Sequence, residues 1–429
     1  MSEFVKEISA AEFESEVLHS ELPVAVDFYS TDCPPCAYLA PSYERIAEQY
    51  GSMMKFVKIY RQGNRELANQ LGVKGSPTVL FFKNGEEAGK RLTGYISKPQ
   101  LRLAVEEITG PRVREGGLAK VECDVLILGG GPAGLSASIY AGRAKLHTVL
   151  VDEGLPGGQA ATTFHIANYP GTPGTVRGSE LMQNMVNQAK SFGVEIHDLK
   201  EIFQVDLTGE RKYVRTEDTE YYAKTVIIAT GAEPRKLPAE GEEEFRGRGV
   251  HYCATCDGAM YQDADNVIVV GGGNSAVEEA VFLTRFAKQV TIVHQFDHFQ
   301  ASKIAQEEAL NHPQIKVVWD SEVRKVNGEG HLTSVTVENV KTGELTDIPA
   351  NGVFVYIGTQ PRTHWFKGQV EMNEWGYIQA NEDMEANLPG VFAAGDVRVK
   401  KFRQVITAAA DGAIAGIMAE KYLMEKARG

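Results

Sequence analysis

A chain of 429 residues is long enough for two to four domains with full-sized cores. Its 43% apolar and 24% charged residues are ordinary for a globular protein, and a net charge of −13 argues against nucleic acid or an acidic membrane surface as partner. No apolar run approaches the roughly 18 residues of a transmembrane helix, and the charged, amphipathic start MSEFVKEISAAEFESE does not read as a signal peptide, so a cytoplasmic protein is expected.

Residues 1–109 read as a small α/β unit. An apolar run of strand length (23–30) precedes a helically spaced segment (35–51) with Pro35 in its first turn, where a missing N–H costs little. A strand at 54–61, a short helix at 64–73, a hairpin turning at Asn84-Gly85 and a helix at 98–109 complete it. Residues 110–121, glycine-rich and charged without periodicity, read as a linker. Beyond it one pattern occurs twice, CDVLILGGGPAGLSASIYAGR (123–143) and DNVIVVGGGNSAVEEAVFLTR (265–285), each a strand, a tight glycine turn and a helix. In the first, Gly129, Gly131 and Gly134 suit the turn, the approach of a pyrophosphate and tight helix packing, and Asp152 is placed for a ribose hydroxyl. In the second the same places hold Gly271, Gly273 and Ala276. Two dinucleotide-type units suggest one for a flavin and one for a nicotinamide cofactor.

The five cysteines are Cys33, Cys36, Cys123, Cys253 and Cys256. Four form two C-x-x-C pairs, which in a reducing compartment are redox centres or metal ligands rather than staples. The pairs lie too far apart in sequence for a compact zinc site, so no metal is expected. Cys33 would start the 35–51 helix, where the helix dipole and free N–H groups favour a thiolate; Cys33 would attack and Cys36 resolve. Asp257 directly follows Cys256, and a carboxylic acid beside a dithiol can protonate a departing thiolate and later take the proton back. Cys123 reads as a buried structural thiol.

Residues 1–109 resemble thioredoxin. The resemblance rests on VDFYSTDCPPC, on GSPT (75–78) and on Gly94. It implies that Pro77 is a cis-proline packed against the disulfide, and that Asp27 is the buried carboxylate that exchanges a proton with Cys36. Two positions depart from the family: Asp32 replaces the usual tryptophan, and Pro34 the usual glycine. Asp32 adds negative charge beside Cys33 and Pro34 removes an N–H, so both disfavour the thiolate and make the dithiol a stronger reductant.

Residues 122–429 resemble a low-molecular-weight, bacterial-type thioredoxin reductase. The matching segments are GGGPAG, GGQ (157–159), ATG (229–231), GRGVHYCATCDG, GGGNSAVEEA, GVFAAGDV (390–397) and RQVITAAADG. The resemblance implies FAD, held by the glycine turn, Gln159, Gly395 and Asp396, with Arg403, Gln404 and Val405 along the isoalloxazine ring. It further implies that Cys256 faces the flavin and Cys253 meets thioredoxin. The implied architecture is α/β: a thioredoxin fold followed by two Rossmann-like domains, an FAD domain (122–235 and 366–429) with an NAD(P)-type domain (236–365) inserted, in a homodimer.

The donor is the open choice. The NADPH-using members have a histidine followed by two arginines and a third arginine further on; here His294 is followed by Gln295 and Phe296, and Gln300 stands at the third position. A 2′-phosphate would lose its bidentate partners, and Lys303 is a weak substitute. NADH is therefore expected over NADPH, with reduced ferredoxin, the donor of related flavin reductases lacking the arginines, as the alternative. A metal pair at His294 and His298 is less expected than a polar loop.

The resulting expectation is a thioredoxin fused to its own reductase. Electrons would pass through FAD and Cys253–Cys256 to Cys33–Cys36, within or between chains, and on to protein disulfides. Fusion raises the local concentration of the second partner to roughly millimolar. One rival is a peroxiredoxin reductase, although those carry two fused thioredoxin folds and 109 residues hold one. Another is a redox-sensing interaction protein, against which two complete C-x-x-C centres argue.

Overall fold

The computed structural model describes residues 3–31, 33–73, 75–93, 96–112, 117–162, 166, 168–172, 174, 176–246, 249–252, 254–329 and 331–428. They form two compact units, one of residues 1–115 and 236–357, the other of 116–235 and 358–429. Asp32, Gly94 and Cys253, singled out from the sequence, lie outside the described residues, as does the side chain of Cys256. Among the described residues no helix is long and apolar enough to cross a membrane.

The N-terminal part of the first unit is a six-stranded sheet. Its order is Lys6–Glu7, Lys55–Tyr60, Val24–Tyr29, Thr78–Lys83 and Glu86–Glu87, with Leu92–Thr93 also on Thr78–Lys83. The central strand Val24–Tyr29 is buried at five of its six positions. That is why its sequence reads as a continuous apolar run rather than an alternation. Helices Pro34–Tyr50 and Lys98–Thr109 cover one face, packing through Leu39, Tyr43, Ile46, Leu101 and Val105. The hairpin turns at Asn84 (φ 54°) and Gly85 (φ 80°), the left-handed pair that a two-residue turn requires.

Residues 236–357 contain a parallel five-stranded sheet in the order Val250–His251, Gly352–Val355, Val267–Val270, Val290–Val293 and Ile315–Val318. An antiparallel three-stranded sheet, Ser321–Gly328, Leu332–Asn339 and Leu345–Pro349, accompanies it.

The second unit is built on a seven-stranded sheet in which Ala119–Leu128 runs parallel to Thr148–Val151 on one side and to Thr219–Ile228 on the other. The chain re-enters this unit at Gly358, and Thr359–Pro361 pairs antiparallel with Ala232–Pro234. Helix Val405–Arg428 lies along Pro132–Arg143. The close approach is made at Gly412, where a Cβ would overlap the Ala133 carbonyl oxygen, and at Gly416, where it would come 2.8 Å from the Ala137 carbonyl oxygen. Because the obstacle is backbone, it cannot swing aside. Gly412→Ala is expected to cost about 1–3 kcal/mol, read as a fall of several degrees in the thermal midpoint; an unchanged midpoint would show that the two helices do not depend on this contact.

Candidate active site

Cys33 and Cys36 are joined in a disulfide. Cys33 caps helix Pro34–Tyr50, its sulfur accepting the Cys36 N–H at 3.2 Å, so it sits at the positive end of the helix dipole. Cys36 is buried. The Cys33 sulfur also lies 3.4 Å from the Ser76 carbonyl oxygen, beside the cis Ser76–Pro77 bond expected from the sequence. Arg61 steadies that turn through Ser76 Oγ at 3.0 Å.

Asp27, on the central strand, is 4% exposed, and its Oδ1 has no hydrogen-bond partner. Burial pushes its carboxyl up to about 7, against the pull of Lys58 on the neighbouring strand. Asp27 is thus a buried carboxyl on the central strand.

Asp257 ends the short helix Ala254–Asp257 that carries Cys256. Its Oδ2 lies 3.1 Å from His251 Nδ1, and His251 Nε2 lies 2.7 Å from the Tyr261 hydroxyl. The sequence did not single out His251 or Tyr261. Next to this helix, the Tyr356 hydroxyl accepts the Ala254 N–H at 2.7 Å. Glu279, on helix Asn274–Leu283, is pushed up to about 7 by burial, with Glu278 adding to the effect, and its Oε2 has no partner.

The turn into helix Asn274–Leu283 has the backbone its glycines require. Gly271 is left-handed (φ 132°), with Ala276 packed beneath it, and nothing stands within 4 Å of where a Gly273 side chain would be. A pyrophosphate can approach there. Gly272 has no room for a side chain, because the His294 ring fills that space. His294 is thus a buried pillar. It is surrounded by Phe296, Phe299 and Trp319, and burial lowers its pKa, which favours the neutral imidazole. Gln295, Phe296, Asp297, His298 and Gln300 are exposed. Asp297 accepts from His298 at 2.8 Å and is held below the usual carboxylate range by that bond and by Lys341. Lys341 itself pairs with Asp320 at 2.9 Å. Lys303 opens the helix Lys303–Leu310.

In the second unit, Gly129 is left-handed (φ 105°), and a Cβ on Gly134 would overlap the Gly129 carbonyl oxygen. At Gly131 the nearest atom to a Cβ would be 4.0 Å away. Asp152 accepts N–H groups from Gly130 and, at 2.7 Å, Gly154. Its carboxylate shapes the turn and keeps lone pairs for a hydroxyl. Gln159 lies on the short helix Gly158–Thr162.

Gly395 is left-handed (φ 81°), and its N–H donates to Asp411 at 3.0 Å. Asp411 also takes Lys400 at 2.8 Å and was missed in the sequence. Asp396 is raised above the usual carboxylate range by burial, and its Oδ1 has no partner. An open pyrophosphate turn and an orphaned buried acceptor in one unit fit a flavin dinucleotide. The Arg403 guanidinium stacks 4.3 Å from the centre of the Tyr377 ring, Gln404 accepts from Asn168 at 3.0 Å, and Val405 begins the last helix. Cys123, buried on Ala119–Leu128, is pushed up to about 12 by burial.

The Asp27 proton has a measurable sign. The folded chain holds it to about pH 7, whereas an unfolded aspartate releases it near its ordinary value of 3.8. Between those values the folded state binds more protons, so stability falls as pH rises and the loss is complete above about 7. Asp27→Asn removes that decline. At about pH 8 the strand Val24–Tyr29 should gain on the order of 2–4 kcal/mol of amide-exchange protection over wild type, and close to none at about pH 4. Equal protection at the higher pH would mean that the carboxyl is not held protonated.

Residues 123–412 match the family described as pyridine nucleotide-disulphide oxidoreductase, and residues 4–107 match thioredoxin. A 34.2 kDa protein in the rubredoxin operon of Clostridium pasteurianum is 49% identical over 302 residues, 70% of this chain and 97% of that protein. The thioredoxin reductase of Peptoclostridium acidaminophilum is 46% identical over 306 residues, 70% of this chain and 96% of its own length. Among solved structures, the thioredoxin reductase of Lactococcus lactis superposes with a TM-score of 0.67 at 43% identity, covering 71% of this chain and 99% of that one. The chain therefore belongs to the pyridine nucleotide-disulphide oxidoreductases, among the thioredoxin reductases, with a thioredoxin domain N-terminal to the reductase.

Proposed function

We propose that this chain is a self-contained disulfide reductase, taking electrons from NADH and delivering them through FAD and Cys253–Cys256 to Cys33–Cys36 and then to protein disulfides. Bound FAD supplies the step that turns a nicotinamide hydride into an electron pair for sulfur. Gly129, Gly131, Gly134, Asp152, Gln159, Gly395 and Asp396 hold it, with Arg403, Gln404 and Val405 along its ring. Gly271, Gly273 and Ala276 take the pyrophosphate of the nicotinamide nucleotide. Asp257 moves a proton at the Cys253–Cys256 pair and Asp27 one at Cys36, while Pro77 presents the second disulfide to its partner.

The donor rests on a single observation. Where the ribose would lie, the exposed side chains are Gln295, Phe296 and Gln300, and the ionised Asp297 stands among them. A 2′-phosphate would meet the neutral Gln295, Phe296 and Gln300 and the like charge of Asp297; Lys341 beside it is already paired with Asp320, and the buried, neutral His294 offers no cation. Each missing charged hydrogen bond forfeits about 1.5–3 kcal/mol, tenfold or more in affinity. NADH, NADPH and reduced ferredoxin, offered separately to the FAD-loaded protein without oxygen, should therefore bleach the flavin at different rates. We expect NADH to act at least about tenfold faster than NADPH at low concentration. Faster bleaching by NADPH, or by ferredoxin, would overturn the assignment.

A further inference from the structure

The acid beside the second dithiol is one member of a buried three-residue chain. His251 is 2% exposed at its side chain and Asp257 18%. The Tyr261 hydroxyl lies 2.7 Å from His251 Nε2, and with that phenol, whose ionisation burial disfavours, as the donor, Nε2 accepts. That leaves Nδ1 carrying the imidazole proton, aimed at Asp257 Oδ2 across 3.1 Å. An ionised carboxylate only accepts, so the three groups form a single directed series.

The imidazole is locked in place. Phe354 stacks on it at 5.3 Å and 27°, and Tyr261 meets the same Phe354 edge-on at 5.4 Å. Tyr261 lies over Gly352, where any Cβ would run into its ring. His251 and Phe354 stand opposite each other on adjacent parallel strands, with Tyr261 packed on them from the short helix Gly258–Tyr261, and these contacts fix the ring whatever Asp257 does.

We infer that His251 is a positioning residue for disulfide reduction: it aims the Asp257 carboxyl and, by donating to its ionised form, sets the pH at which that carboxyl gives and retakes its proton. This rests on the reading that Asp257 serves the Cys253–Cys256 pair. Turning that disulfide into two thiols takes two electrons and two protons. Asp257 supplies one proton; the electron pair and the other proton would come from bound, reduced FAD. When the dithiol is reoxidised, Asp257 takes its proton back. Among the described residues, the other titratable groups that interact with Asp257 include Tyr261 and Tyr356, both phenols kept neutral by burial. Behind Tyr356 stands Glu279. The histidine is the member of this set that donates directly to the carboxylate.

The test uses the full-length, FAD-loaded protein. The carboxyl band of Asp257, identified in infrared spectra by its loss in Asp257→Asn, is titrated with pH. In His251→Phe the midpoint should rise by about one pH unit, because a donor to the ionised form is gone. His251→Asn keeps an N–H in the place of Nδ1 and should titrate near wild type. If His251→Phe does not fold, Tyr261→Phe removes only the hydroxyl that fixes the tautomer, and should shift the midpoint in the same direction by less. Identical midpoints in the wild type and both phenylalanine variants overturn the inference. The underlying reading is checked separately, by the rate at which dithionite-reduced protein reduces insulin disulfides. A wild-type rate in Asp257→Asn removes Asp257 as proton source and the mechanistic role of His251 with it, while the titration still decides whether His251 sets the carboxyl.

Discussion

A carboxyl group withdrawn from water must be paired or must keep its proton, because the bare charge costs several kcal/mol in a poorly polarisable interior. Much of this molecule is arranged around that constraint. Asp411 is paired, with Lys400 and the Gly395 N–H, and in being paired it shapes a turn. Asp152 is paired with two backbone N–H groups and shapes another. Asp257 is paired with a buried histidine. Asp27, Glu279 and Asp396 each keep an oxygen without a partner. The first three define geometry. The second three are strained by solvation rather than by shape, and they lie in the cores and turns around the redox and nucleotide sites.

Glycine turns, dithiols and core strands could be read from the sequence because each is imposed locally. Only glycine tolerates the backbone at Gly129 and Gly271, and a strand buried on both faces, such as Val24–Tyr29, has no polar side to hide. What escaped the reading depends on parts of the chain that meet only after folding. His251 precedes Asp257 by six residues and looks like one more polar residue on a strand. Its role appears when the strand and the short helix fold side by side beneath Phe354. His294 was read as part of a surface loop that would face a ribose. It is instead a pillar under Gly272, its ring filling the space that a side chain there would take. Asp411 sits within a segment recognised for its family likeness, yet its partners Gly395 and Lys400 come from the preceding turn. The pairing of Thr359–Pro361 with Ala232–Pro234 is too short to leave a periodic signal.

The nucleotide turn shows how a binding preference can change without disturbing a core. His294 and Gly272 occupy complementary space, so neither can change alone, and this pair keeps the turn in shape. The residues that would touch a 2′-substituent, Gln295, Phe296 and Gln300, are exposed, and of them Phe296 also packs edge-on against His294. Stability and recognition are thus carried largely by different positions of a single loop.

Burial of Cys123 also bears on how the first dithiol can be read out. With its thiol pushed up to about 12, that sulfur stays silent towards alkylating reagents near neutrality. It therefore adds no background to a label that Cys33 takes up once the Cys33–Cys36 bond is opened.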